Sequence, residues 1–390
     1  MADAIRGQNG LTETYTPAEM APAILALVWD VGVKLRALLL DDGTLEFNYR
    51  DGRSTSVPGA TIVKAWEVNP AGYSSAGARP WDDDKLLATR ALFDADVAAS
   101  GLTSTAYFLN GCGNLVEVEG FEALSGVTNM NQMFTSCPSL ETIWVDGFES
   151  SVTSGSLMFS GCTRLVGGKG YVPAQMDNQD ELNLGEDGVL TDPSADEREW
   201  FRCFLYGDGE LSLTAAAEPE AGRQLLASGR LCANARYNAV GYQPWYEHRA
   251  SVATAEIDAS MTAYEEVNLN YWFYGHQALT GVAGLGNLSG VREMRHTFNS
   301  CRALASLDLS GMDPSSLEDL TYTFSGCDAL ATIWADAGWA PPAGASGMQT
   351  FYQCSQLVGG SGTTYASSRV SYQYMRIDGG TAAPGYLTGK

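Results

Sequence analysis

The sequence predicts an α+β repeat fold: two solenoid arrays, each introduced by a lead-in containing a β-hairpin, behind a short N-terminal helical segment. Three observations carry this. A triplet of large apolar residue, cysteine and leucine, spaced by three, recurs along the chain as Leu109/Cys112/Leu115, Phe134/Cys137/Leu140, Phe159/Cys162/Leu165, Phe298/Cys301/Leu304, Phe324/Cys327/Leu330 and Phe351/Cys354/Leu357, with His276 replacing cysteine in Phe273/His276/Leu279. Landmarks recur 164 residues apart (244 − 80): Pro80-Trp81 with Pro244-Trp245, Tyr107 with Tyr271, Gly111 with Gly275, and Cys137 with Cys301. Two Asp-Gly turns, Asp42-Gly43 and Asp208-Gly209, each sit between apolar runs ahead of an array, which is a hairpin signal. The chain reads as a tandem duplication.

Residues 1–33 come first. Thr16 as N-cap, Pro17 at the first helical position and Glu19 three residues after the cap form a capping box, and Ile24, Leu25 and Leu27 supply an apolar face. A shorter helix, Ala2 to Arg6, precedes it. From its residues alone this segment reads as an N-terminal helical hairpin. Residues 34–175 hold the first lead-in and three repeat units, and residues 200–390 the second lead-in and four. Each array ends in Val-Gly-Gly, at 166–168 and 358–360. Between them, 176–199 is acidic and turn-rich. Asp177, Asp180 and Glu181 cluster there, but a loop starting at Asp177 lacks glycine at its sixth position, so the EF-hand pattern fails and the segment reads as a solvated linker.

Within a unit, Met130, Met133, Phe134 and Cys137 stand at i, i+3, i+4 and i+7, which predicts a short helix. After Pro138, Leu140, Ile143 and Val145 predict a short strand with those residues inward. A unit of this size cannot bury its apolar face alone, and the steps of 25 to 27 residues fall in the leucine-rich-repeat range. Gly155 and Gly347 stand where such a helix would prefer Met or Leu.

Six of the eight cysteines (Cys112, Cys137, Cys162, Cys301, Cys327 and Cys354) share one repeat position, and Cys203 and Cys232 lie in the second lead-in. No C-x-x-C occurs, so neither zinc nor another metal is expected. The recurrence of one position predicts small, buried, reduced thiols. The net charge of −23 opposes nucleic acid and anionic membranes. Ala23 to Leu40 is the most apolar stretch, and its charges argue against membrane insertion. No secretory leader is legible in MADAIRGQNG.

An enzyme is not expected and no cofactor is implied. The three histidines, His248, His276 and His296, lack a neighbouring nucleophile signature. Gly284-Leu285-Gly286 is not followed by the third glycine of a dinucleotide loop, and no phosphate-binding loop occurs. Binding is the better class. The strand pattern turns Trp144 and Trp334 outward, with Glu119, Ala283 and Asp308 at the matching place in other units, and makes the two tryptophans either candidate anchors for a sugar ring or a protein surface or residues covered by a lead-in or by the other array. Trp245 and Tyr246, in the second lead-in, are the reserve candidates.

Residues 127–145, VTNMNQMFTSCPSLETIWV, resemble the BspA-type leucine-rich repeats, and the ending RIDGGTAAPGYLTGK resembles the usual end of such proteins. That likeness covers about 101–170 and 265–390 and implies a surface binding module. The string ADAIRGQNGLTETYTPAEMAPAI at 2–24 resembles a segment of phage tail and virion proteins. Together they imply a virion fibre or tail-tip component for host attachment, contacting a host glycan or protein through its repeats and other virion proteins through residues 1–33, as a homo-oligomer such as a trimer. A bacterial cell-surface adhesin is the alternative.

Overall fold

A computed structural model describes residues 32–52, 54–173 and 179–390. The expected helices at 1–33 and the acid Asp177 therefore lie outside the described residues, apart from Gly32 and Val33. The chain divides into two compact units, 1–168 with 173–196, and 169–172 with 197–390.

In the first unit the Asp42-Gly43 turn joins β1 (Val33–Leu40) to β2 (Thr44–Asp51), with Gly43 at φ 85° and the Asp42 carboxylate accepting from the Thr44 amide at 2.9 Å. β3 (Ile62–Glu67) adds antiparallel to β1. From β2 onward the sheet is parallel: β4 (Arg90–Phe93), β5 (Glu117–Glu119), β6 (Thr142–Trp144) and β7 (Leu190–Thr191). Leu45, Ala91, Val118, Ile143 and Leu190 pair in one row across these strands, and all are buried. The hairpin thus covers the edge that the first repeat strand would otherwise leave open.

The second unit repeats the plan. β8 (Trp200–Tyr206) and β9 (Glu210–Thr214) form the hairpin, and β10 (Leu225–Cys232) adds antiparallel to β8. β11 (Thr254–Ile257) and β12 (Gly281–Ala283) then run parallel beside β9. β13 (Ser306–Asp308), β14 (Thr332–Ala335) and β15 (Leu387–Gly389) form a separate parallel sheet.

Two expectations are corrected. First, the described residues contain no α-helix; their helical turns are 3-10 turns of six residues or fewer, so the fold is sheet and turns. Met130, Met133, Phe134 and Cys137 are buried as the spacing implied, but on a different backbone. Gln132 and Ser136 have φ of 53° and 61°, in the left-handed region, which no right-handed helix admits. Alternate amides bond within the segment, as Met133 N–H to the Met130 carbonyl does at 3.1 Å. The others point at the next unit: Met130, Gln132, Phe134 and Ser136 donate to Ser154, Ser156, Met158 and Ser160 at 2.7–3.1 Å. Thr105, Tyr107, Leu109 and Gly111 donate in the same way to Asn129, Asn131, Met133 and Thr135. In the second unit Met294, His296, Phe298 and Ser300 donate to Asp319, Thr321, Thr323 and Ser325. Each unit is therefore clamped on one side by a strand and on the other by this amide ladder.

Second, the supposed linker 176–199 supplies β7, and Val189, Leu190 and Thr191 are buried. Gly188-Val189-Leu190-Thr191 does for the first copy what Gly385-Tyr386-Leu387-Thr388 does for the second, adding a closing strand beside the Trp144 and Trp334 strands. The preceding double glycine is required. A Cβ on Gly167 would meet the Gly188 carbonyl at 1.9 Å, and one on Gly359 the Gly385 carbonyl at 2.3 Å.

Between strand and ladder lies an aromatic column. In the second unit Phe273, Phe298, Phe324 and Phe351 stack at 5.5, 5.5 and 5.6 Å, and Tyr386 closes the column edge-on at 5.0 Å. In the first, Phe134 stacks on Phe159 at 5.8 Å. Replacing Phe134 by Ala removes a fully buried ring and is expected to cost about 3–5 kcal/mol. Because repeat damage passes mainly to neighbours, hydrogen exchange should rise across 105–165 and stay unchanged across 254–357; equal loss in both would show one shared core.

Candidate binding surface

The first rung of each ladder has carbonyls with no preceding unit to bond them, and the lead-in supplies the donors. Arg79, 2% exposed, donates to the carbonyls of Tyr107 at 2.5 Å and Phe108 at 2.8 Å and also to that of Asn110, while the Trp81 indole donates to Phe108 at 2.9 Å. In the second copy Gln243 donates to the Asn270 carbonyl at 3.1 Å and the Trp245 indole to that of Trp272 at 2.9 Å. Trp245, a reserve candidate for binding, is 1% exposed and is such a cap, so it offers no surface. Tyr246 is partly exposed, with the Arg249 guanidinium 4.4 Å from its ring centre.

The repeat cysteines are all buried and free, as are Cys203 and Cys232. The thiols of Cys137, Cys162, Cys301, Cys327 and Cys354 donate to the carbonyls of Leu109, Phe134, Phe273, Phe298 and Phe324 in the preceding unit at 3.0–3.1 Å. The cysteine is thus a small apolar residue that also bonds backward, against the direction of the ladder. Burial raises every one of these thiols, Cys112 to about 11 and Cys162 and Cys354 to about 12. At a first rung no preceding carbonyl needs a donor, and there His276 fills the place. It is fully buried, its Nδ1 lies 3.2 Å from the Tyr274 carbonyl, and burial lowers its pKa to about 4. His296 lies flat between Tyr271 and Tyr322, with ring centres at 4.9 and 4.8 Å, and burial likewise lowers its pKa to about 4. His248 is exposed. The described residues contain no group of three or more His, Cys, Asp or Glu able to hold a metal, and no helix long and apolar enough to cross a membrane.

Trp144 and Trp334 are partly exposed on the sheet, between inward Ile143 and Val145 and between inward Ile333 and Ala335. Their surroundings differ. The Trp144 indole donates to Glu117 at 3.2 Å, and its ring borders a recess of about 370 Å³ that Glu119, Gly120, Glu122, Val145, Asp146 and Pro193 complete. Glu119 is held by the Arg90 guanidinium, whose Nε donates to it at 2.8 Å. In the second copy Asp308, which pairs with Trp334 across the sheet, holds the Lys390 ammonium, and that ammonium stands 5.7 Å from the Trp334 ring centre. The sequence singled out the two tryptophans but missed the Lys390 cover, for which a lysine two places after Leu-Thr is the signal. It also missed the capping roles of Arg79 and Gln243, which the 164-residue offset aligns.

The family model described as "Mycoplasma protein of unknown function, DUF285" matches residues 108–168 and 254–369, the repeat-bearing stretches of both copies and less than half of the chain. It supports the BspA-type leucine-rich-repeat likeness, and nothing among the comparisons supports the phage-tail one. No curated protein matches. Among solved structures, a leucine-rich repeat protein from Eubacterium ventriosum is 13% identical, with 87% of this chain and 96% of that chain covered and a TM-score of 0.23.

The raised thiols set a pH dependence. Their native pKa lies above the unfolded value of 9.0, so the stability they contribute is fully present below pH 9 and is lost as pH climbs from there towards 12, the interval in which the unfolded thiols ionise ahead of the native ones. Urea midpoints should hold up to about pH 8.5 and fall beyond it. Native protein should resist a thiol reagent that labels the unfolded chain rapidly; fast native labelling of the repeat thiols would contradict the assignment. Replacing Arg79 by Ala leaves the Phe108 carbonyl to the Trp81 indole and the Tyr107 carbonyl to the Asn110 amide but takes the guanidinium donor from Asn110, and should cost about 1–3 kcal/mol, read as a lowered urea midpoint for the first unit alone.

Proposed function

We propose that the protein is a non-enzymatic binding module. Its two arrays are solenoids, each led by a hairpin and closed by a Gly-x-Leu-Thr strand, and they present the outer sheet face to a glycan or protein on a cell surface. The observation that carries this reading is Trp144: a large indole left partly exposed on the sheet and bordering a recess. Such anchors dominate recognition where they occur. Trp334 sits under Lys390, so the first copy carries the anchor. The absence of catalysis is part of the proposal and draws on the neutral, buried thiols and on the two histidines held by packing.

Display on a bacterial surface is favoured by the BspA-type likeness. Placement in a phage particle, with residues 1–33 joining other virion proteins or assembling a homo-oligomer, rests on residues 2–24 alone. Labelled antibody against the protein, imaged on whole cells and on purified particles, separates the two. For binding itself, Trp144→Ala should leave the thermal midpoint within about 2 °C and abolish adsorption to cells or a glycan array, while Trp334→Ala leaves adsorption intact. Normal adsorption by folded Trp144→Ala would place the binding surface elsewhere.

A further inference from the structure

The two copies differ in where they hold histidine. His248, His276 and His296 all lie in the second. By the 164-residue offset (276 − 112, 296 − 132) the last two match Cys112 and Gln132 of the first. Neither a thiol nor an amide takes up a proton as pH falls from 7 towards 4.

His276 stands on the first rung of its array, beneath the lead-in that caps it. Its ring is fully buried and meets Phe273 edge-on at 5.8 Å. Nδ1 lies 3.2 Å from the Tyr274 carbonyl. That oxygen can only accept, so Nδ1 carries the proton and Nε2 the lone pair. Nε2 is buried and has no hydrogen-bond partner. A second proton therefore has to sit on Nε2, where the fold offers no acceptor.

The groups around the ring oppose that proton. From the lead-in turn the Arg249 guanidinium acts on it as a like charge, while Glu247 and His248 of the same turn are exposed. From the next unit comes the Cys301 thiol, kept neutral by burial and bonded to the Phe273 carbonyl at 3.0 Å. His296 of that unit lies between Tyr271 and Tyr322, with Arg295 and Asp319 as its own charged neighbours. Among the described residues no carboxylate acts on His276 to balance a charge there. A buried cation with neither acceptor nor counter-charge is a cost that the unfolded chain does not bear. The same rung carries the seal between lead-in and array, in which Gln243 and the Trp245 indole donate to the carbonyls of Asn270 and Trp272.

We propose that the first rung of the second array is an acid-sensitive latch: proton uptake at His276 Nε2 parts the lead-in from the array in the second copy, while the first copy, with Cys112 in that place, stays closed. The stability that rests on the neutral ring is fully present above pH 6.5, the ordinary histidine value. It is lost as pH falls from there towards about 4, to which burial lowers the native ring.

Hydrogen exchange of the full chain, corrected for the intrinsic rate at each pH, reads the opening of each copy separately. Between pH 7.5 and pH 5 the opening equilibrium across 269–301 should rise at least about thirtyfold, and that across 105–137 should stay level. His276→Cys installs the residue that the other six units carry. It should cut the rise by about thirtyfold, whatever His296 adds. Proton NMR of the native imidazoles gives a reading that needs no variant, in which the His276 ring should stay neutral to below pH 5. A folded His276→Cys chain that keeps the whole acid response, a native His276 ring that titrates near 6.5, or equal opening of both copies overturns the proposal.

Discussion

Every second amide in a repeat's turn segment points at the following repeat, and the architecture depends on this directed ladder. To aim alternate N–H groups along the array, the backbone must pass twice per unit through the left-handed region, at residues such as Gln132 and Ser136 or His296 and Ser300. Each such residue carries a conformational cost outside glycine. The cost is met by contacts that only a neighbouring unit can make. The four inter-unit amide bonds satisfy buried backbone groups, the phenylalanines stack, and the cysteine thiol bonds back to the preceding unit. None of these exists in a single repeat, which is why the pattern occurs in tandem.

A ladder whose bonds all run one way has two unlike ends. The first rung shows carbonyls and the last shows N–H groups. At the first, Arg79 with Trp81, and Gln243 with Trp245, donate side-chain hydrogens to the carbonyls. At the last rung of the second copy, Phe351 donates to the Val370 carbonyl at 2.9 Å and Gln353 to the Tyr365 hydroxyl at 3.2 Å. Gly347 belongs to the same terminus: a Cβ there would lie 2.9 Å from that of Tyr372 and 3.0 Å from that of Leu320. The glycine that spoiled the helical pattern marks where the chain folds back over its own end.

Much of this was legible in the sequence. The period, the duplication, the hairpins and the buried thiols follow from the spacing of Cys, Phe and Leu and from the Asp-Gly turns. The helix was misread because a 3.6-residue period reports which side chains are buried, and Met130, Met133, Phe134 and Cys137 are buried here too. The contrary signal was present. Glycine precedes the cysteine position at Gly111, Gly161, Gly275 and Gly326, each with φ between 69° and 82°, and glycine recurring there is poor helix chemistry. The segment 176–199 was misread by its charge, which hid the apolar core of Val189 and Leu190. The capping roles were beyond reach, since an arginine and a glutamine at aligned positions share only their ability to donate.

Duplication makes the surface readable as well. Two copies under one structural constraint keep the residues the ladder and sheet need: the double glycine, the Leu-Thr of the closing strand and the Thr-Ile-Trp strand. Positions outside that constraint are free to differ, and the second residue beyond the Leu-Thr pair is proline in one copy and lysine in the other. The second copy meets an indole and a carboxylate at this place with a lysine ammonium, and in the first the matching carboxylate, Glu119, is held by the Arg90 guanidinium instead.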